Sequence, residues 1–264
     1  MRRTLAPFGR RLSTVVANER LGAYRLISTD DPDGPPDPRP GQFYMLAAAE
    51  RWGAGEGERP YLPRAFSFAR AAPGPRLAFL LEAVGPGTER LAQLAPDARL
   101  WLTGPLGIGF APPEPGTRPL LVGGGIGAAP LLCLQDELGE GAEVLLGFRS
   151  ADHARAAELF ADTPQVATDD GSLGREALVT ELLREALDAD RAATVFACGP
   201  PPMLEAVRAL CAEHEVAAQL ALESGMACGF GACFGCVVPT RSGYVRLCVD
   251  GPVLDAAELE AVGH

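Results

Sequence analysis

The chain has 264 residues, 47% of them hydrophobic, and a formal net charge of −11. That length buries a core without disulfide staples and allows two domains plus a small appendage. The acidic balance argues against a nucleic-acid partner; no apolar run approaches the ~20 residues that span a bilayer; and no continuous apolar stretch follows Arg2, Arg3, Arg10 and Arg11, as a secretory signal requires.

Residues 1–113 read as short strands bounded by Gly, Pro and Asp: Leu12–Ala17, Tyr24–Ile27, Gln42–Ala47, Ala65–Ala69, Leu77–Ala83 and Arg99–Thr103. Strands of this length and spacing predict an antiparallel barrel or sandwich. The proline-rich run Asp30–Gly41 is expected as a surface loop, and Thr88 as the cap of a short helix ending at Leu94. Within this region, arginine suits bidentate pairing with a pyrophosphate, and Arg64-Ala65-Phe66-Ser67 adds a hydroxyl three residues on. An ordinary surface arginine on a strand would look the same. Val84-Gly-Pro-Gly87-Thr88 reads equally as a phosphate cradle or as a plain helix start.

A second proline-rich run, Ala111–Pro119, is expected as a linker, after which strand and helix alternate. The strands are Pro119–Val122, Glu143–Phe148, Gln165–Ala167, Thr194–Ala197 and Ala218–Leu222. The helices are Ala129–Leu138, Ala154–Phe160, Arg175–Leu187 and Met203–His214. Such βα repeats predict a parallel sheet covered on both faces. Gly123, Gly124, Gly125, Ile126 and Gly127, with Ala128, satisfy G-x-G-x-x-A between a strand and a helix, the pattern that lets a backbone approach a pyrophosphate. Tight strand–helix packing uses glycine too. Where a ribose-binding acidic residue is expected at the end of the second strand, the chain has Arg149-Ser150-Ala-Asp152.

Residues 218–264 contain Cys228, Cys233, Cys236 and Cys248, spaced C-x4-C-x2-C-x11-C. The first three fit the plant-type rule for a [2Fe–2S] cluster, with a distant fourth thiolate. Gly225, Gly229, Gly231 and Gly235 give the loop freedom to aim its amides at sulfur. Structural zinc usually takes two short Cys hooks, and disulfides staple small secreted domains, so both fit less well. Cys133, Cys198 and Cys211 lie in apolar surroundings and are expected in the core. His153, His214 and His264 are scattered, which favours surface roles, and Asp255–Glu260 is expected as a solvated helix face. No catalytic constellation is visible, and free thiolates imply a reducing, cytoplasmic interior.

Taken in order, these parts resemble the ferredoxin-reductase superfamily. The cluster segment, together with Val166–Ser172 and Leu247–Val253, resembles the electron-transfer subunits of dihydroorotate dehydrogenase B from about residue 11 onward. The resemblance implies three units: an FAD-binding β-barrel (1–113), an NAD-binding α/β unit (114–217) and a small [2Fe–2S] unit (218–264). It implies FAD held by Arg64 on the pyrophosphate, by Ala65, Phe66 and Ser67, by the backbone of Leu80, Leu81 and Glu82, and by Gly87 and Thr88. NAD(H) would be framed by Gly123 to Gly127 and by Cys198, Gly199 and Pro200. The four C-terminal cysteines would be the cluster ligands. Family members often have proline where Ala65 stands, asparagine at Ile108 and arginine at Gly225. The implied partner is an FMN-containing dihydroorotate dehydrogenase catalytic subunit in an α2β2 complex serving pyrimidine synthesis, with electrons leaving to NAD+. Rival expectations are a related reductase subunit serving a hydrogenase, sulfide dehydrogenase or oxygenase, and a zinc-bearing nucleotide sensor without redox turnover.

Overall fold

A computed structural model describes residues 9–53, 60–71, 74–139, 141–161 and 163–260; Arg2, Arg3 and His264 lie outside them. The N-terminal part is a seven-stranded antiparallel sheet of β1 (Arg11–Leu21), β2 (Tyr24–Asp30), β3 (Phe43–Ala48), β4 (Arg64–Ser67), β5 (Arg70–Ala71), β6 (Arg76–Glu82) and β7 (Arg99–Leu106). Their order is β4-β3-β7-β1-β2-β6-β5. The two edge strands are separated along the chain only by Phe68 and Ala69, so the sheet rolls into a barrel. Alternate residues turn inward, and Val15, Ile27, Tyr44, Phe68, Phe79 and Leu100 fill the interior.

Two expectations change here. The run Asp30–Gly41 is not wholly a surface loop: Asp31 is buried and accepts Arg11 Nε at 3.0 Å and Nη2 at 2.6 Å, a pair that satisfies two otherwise costly charges. Helix α1 (Pro86–Ala92) begins before Thr88, with Gly85 at its N-cap. Thr88 works backwards instead, its Oγ1 accepting the amides of Val84 at 2.8 Å and Gly85 at 3.1 Å.

The second sheet holds β8 (Arg118–Gly124), β9 (Glu143–Phe148), β10 (Gln165–Thr168), β11 (Arg175–Glu176), β12 (Ala193–Cys198) and β13 (Ala217–Ala221), all parallel. On one face, α2 (Ala128–Leu138) packs against Leu121, Leu146 and Phe196 and meets the barrel. On the other, α4 (Val179–Ala189) and α5 (Pro201–His214) bury Leu183, Leu187 and Val207 against Leu120, Leu145 and Val195. Successive side chains of one strand therefore feed opposite layers, which is why β12 is buried throughout.

The helix expected over Arg175–Leu187 starts only at Val179. Arg175 and Glu176 pair with Ala167 and Thr168 as strand β11, and Glu181 accepts the Leu178 amide at 2.9 Å to open the helix. The helix expected at Ala154–Phe160 is one α turn, α3 (Ala151–Ala154), running into a 3₁₀ segment, Arg155–Leu159.

The remaining residues form the hairpin β14 (Val237–Thr240) and β15 (Gly243–Arg246), the turn α6 (Leu247–Asp250) and β16 (Val253–Asp255). Strand β16 returns to pair antiparallel with β13, giving the order β11-β10-β9-β8-β12-β13-β16. The boundary expected between 217 and 218 thus runs through β13, which hydrogen-bonds to β12 on one side and to β16 on the other. Asp255–Glu260 is no helix face: it ends β16 and makes a 3₁₀ turn capped by the Asp255 carboxylate, with Ala256 and Leu259 buried.

Candidate functional site

The barrel and the parallel sheet meet at a narrow cleft of about 190 Å³. Strand β4 supplies one wall because its pairing with β3 (Met45↔Ala65, Phe43↔Ser67) aligns Ala65, Phe66 and Ser67 along it, joined by Leu80 from β6. Ile126, Ala129 and Cys198 close it from the parallel sheet, and Leu222 to Ser224 with Met226 from the run leading to the cysteines. Leu81 faces the barrel core instead.

Arg64 lies beside this cleft. Its Nη1 donates to the Leu62 carbonyl at 2.6 Å, and a Cβ on Gly87 would come within 2.6 Å of its Nε. Arg64 and the start of α1 are thus brought together, the guanidinium lying in the space that a side chain at position 87 would take.

A larger cavity, about 660 Å³, opens at the carboxyl ends of β8, β9, β10 and β12. The strand order turns between β8 and β12, which is where open α/β sheets take ligands. Gly124, Gly125, Ile126, Gly199 and Pro200 line it. Gly125 adopts φ +55°, where an added Cβ would meet only the Tyr24 hydroxyl at 3.8 Å. Gly123 and Gly127 do not line it: side chains there would hit Leu146 and the Cys198 carbonyl, so these two glycines seat the loop against its neighbours.

Several lining residues were not anticipated. His153 is a wall residue rather than a surface one, edge-on to the Tyr24 ring at 5.6 Å. His214 is likewise buried, at the end of α5. Glu82, expected to act through its backbone, turns its carboxylate into this cavity and meets Arg149 Nη2 at 2.6 Å. Glu223 is exposed on a wall shared by both spaces. Protein crowded around its carboxyl pushes its pKa up, a shift softened by the water that reaches it. Only a register signal in the sequence, the second position after β13, could have pointed to Glu223.

The four C-terminal cysteines stand as two pairs, with Cys228, Cys233 and Cys236 in one loop and Cys248 in α6 beyond the β14–β15 hairpin. Cys236 and Cys248 are buried with their sulfurs 3.2 Å apart. Cys228 and Cys233 are linked through their thiols nearer the surface. Among the described residues no three His, Cys, Asp or Glu side chains gather around a single point as one ion would require. Burial alone would raise the Cys228 thiol, but amides of Phe230, Cys233 and Ala232 point at it and lower it to about 6. Burial and then the neighbouring Cys236 thiol raise Cys248 to about 12, against an opposing bond from the Gly231 amide. A loop that aims amides at paired thiols has the donor set a thiolate-bound cluster needs. Gly229, at φ +79°, lets the loop press on Met45, which pairs with Ala65 of the cleft wall. Arg246 holds the far side, donating to the Gly231 carbonyl at 3.2 Å. Cys133 and Cys211 are buried core thiols, as expected; Cys198 is also buried but lines the cleft and not the larger cavity, where it was expected to frame NAD(H).

Comparison with known proteins agrees with this geometry. Residues 223–260 match the family model of the iron–sulfur cluster binding domain of dihydroorotate dehydrogenase B. The electron transfer subunit of dihydroorotate dehydrogenase B (NAD+) from Desulforamulus reducens is 37% identical over 81% of this chain and 84% of its own. Its counterpart from Caldanaerobacter subterraneus is 35% identical over 93% and 96%. A chain from the structure of the NADH-dependent reduced ferredoxin–NADP oxidoreductase, a study of flavin-based electron bifurcation, superposes with TM-score 0.79 at 25% identity, covering 96% of this chain and 91% of that one. Phthalate dioxygenase reductase shares the fold at TM-score 0.62 and 15% identity, over 91% and 94%.

Proposed function

The chain belongs to the family of dihydroorotate dehydrogenase B electron-transfer subunits, and from that membership we propose that it carries electrons from a dihydroorotate-oxidising partner to NAD+ in pyrimidine synthesis. When bound, FAD and a [2Fe–2S] cluster supply the conversion between the one-electron steps of iron and the two-electron hydride exchange of nicotinamide. The residues described above divide that work. Arg64, against Gly87, holds the FAD pyrophosphate; Ala65 to Ser67 and Leu80 form the slot for its ring. Gly124, Gly125, Ile126, Gly199 and Pro200 cradle NAD(H), while Gly123 and Gly127 shape that cradle from behind. Cys228 with Cys233 and Cys236 with Cys248 would hold the cluster through their thiolates.

The observation that carries the reading is continuity. Glu223 lines both cavities, the cleft wall continues through Ser224 and Met226 toward Cys228, and the cysteine loop rests on the strand pair that lines the cleft. Flavin slot, dinucleotide cavity and thiol loop form one contiguous path. Within it, 1–113 serves flavin, the parallel sheet serves the dinucleotide, and the segment from Glu223 serves the cluster. Phe230, Phe234 and Tyr244 expose large rings around the thiol loop, suiting it to meet an FMN-containing catalytic subunit in an α2β2 assembly. Among the described residues no helix is long and apolar enough to cross a membrane, and the reading places the complex in the cytoplasm, where thiols stay reduced.

Anaerobic purification tests this. The chain should show flavin and iron–sulfur absorption, a rhombic low-temperature EPR signal on dithionite reduction, NADH-dependent dye reduction, and co-purification with an FMN enzyme that oxidises dihydroorotate. Colourless protein with zinc alone, or a different redox partner, would defeat it.

A further inference from the structure

A βαβ unit that takes NAD ordinarily ends its second strand with an acidic residue for the adenosine ribose, whereas an arginine nearby accommodates the 2′-phosphate of NADP. In this chain the second strand, β9, is followed by Arg149. Read locally, that is the arrangement of an NADP protein. The packing of the two sheets reverses it. Glu82, at the end of β6 in the barrel, reaches across the cavity so that Arg149 Nη2 donates to its Oε1 at 2.6 Å. His153 Nε2 sits 2.8 Å from the same Nη2 and 3.3 Å from the same carboxylate oxygen. Ser150 Oγ, 3.0 Å from His153 Nδ1, and the Tyr24 ring hold that imidazole in place.

The charge inventory of the cavity agrees. Among its lining residues Arg149 is the one permanent cation, while Glu82, Asp169 and Glu223 are acidic. The arginine side chain is 65% exposed and Glu82 only 26%, so the carboxylate is the fixed member of the pair and the guanidinium is free to swing if released.

We propose that Glu82 is a specificity-determining residue: by occupying Arg149 it stands in for the acidic group absent from β9 and turns the cavity against a 2′-phosphate, favouring NAD(H) over NADP(H). This rests on the reading of the cavity as the dinucleotide site. The preference then comes from the barrel, not from the nucleotide fold itself.

Calorimetric titration of the flavin-loaded full chain with NAD+ and with NADP+ tests it in the parent, in Glu82→Gln and in Glu82→Gln/Arg149→Gln. Releasing the guanidinium in Glu82→Gln should raise NADP+ affinity relative to NAD+ by about tenfold, the scale of one charge-assisted phosphate contact at a partly exposed site. The double variant should return the ratio to the parent value. An unchanged ratio in Glu82→Gln, with NAD+ still bound, overturns the inference and leaves the dinucleotide reading standing. A shift that survives in the double variant also overturns it, because Arg149 is then not the cause. Failure of the parent itself to bind either nucleotide overturns both. Should Glu82→Gln unfold or lose flavin, Arg149→Gln alone decides: uncovering Glu82 should move the ratio further toward NAD+, and no movement overturns the proposal.

Discussion

The two glycine-rich loops of this molecule, 123–127 and 225–235, use the same residue under different constraints. In the first, Gly123, Gly124 and Gly127 are pressed by Leu146, Met203 and the Cys198 carbonyl, and only Gly125 is left without a tight neighbour. In the second, Gly229 and Gly231 adopt φ +79° and +88° to turn the chain around sulfur, while Gly225 has nothing within 4 Å and Gly235 would meet the Cys233 sulfur at an ordinary 3.6 Å. A run of glycines therefore announces close approach without saying what approaches. In one loop it is mostly the protein's own backbone and side chains; in the other it is the path that lets amides face thiols.

Substitutions that treat the two loops alike should separate them. The largest effect is expected at the thiols: Cys236→Ser should abolish the iron–sulfur absorption and EPR signal while flavin remains, measured on anaerobically prepared protein. Retention of both signals would remove Cys236 from the ligand set. Next comes Gly127→Ala, whose methyl would collide with a backbone carbonyl that cannot step aside. A loss of about 3 kcal/mol in denaturant unfolding is expected, from overpacking against rigid neighbours. A loss near zero would mean that β12 yields and the packing account is wrong.

The thiol behind that loop offers a third comparison. Burial, then the charge of Glu223, raises Cys198 well above its ordinary 9.0. A raised folded pKa means that the folded state keeps its proton while the unfolded thiol ionises. Its contribution to stability is therefore complete below about pH 9 and declines as pH rises toward the folded value. Melting temperatures taken from pH 8 to pH 11 should fall less steeply in Cys198→Ala than in the parent, and parallel slopes would remove this thiol as the cause. The smallest change belongs to Gly225→Ala. Nothing lies within 4 Å of its added carbon, so stability should stay within about 0.5 kcal/mol.

Much of this was legible before any packing was known. Strand Glu143–Phe148 was bounded correctly because its apolar run is continuous and flanked by Gly and Arg. The core thiols declared themselves by apolar neighbours. The start of α4 was not legible, because Arg175 and Glu176 gain more from pairing with β10 than from a helical turn, and no local pattern records a partner strand. Thr88 misled for a related reason: a hydroxyl at the third helical position bonds back to the turn as readily as one at the cap.

By itself the sequence determined the spacing of the four C-terminal cysteines and the alternation of two sheet types, because residue spacing and hydrophobic period are covalent properties of neighbouring residues. Only the tertiary structure decided that Glu82 meets Arg149, 67 residues apart, and that Glu223 stands between two cavities. Charges from separate sheets acquire a relation only when packing brings them within hydrogen-bond reach, and no local pattern encodes that distance.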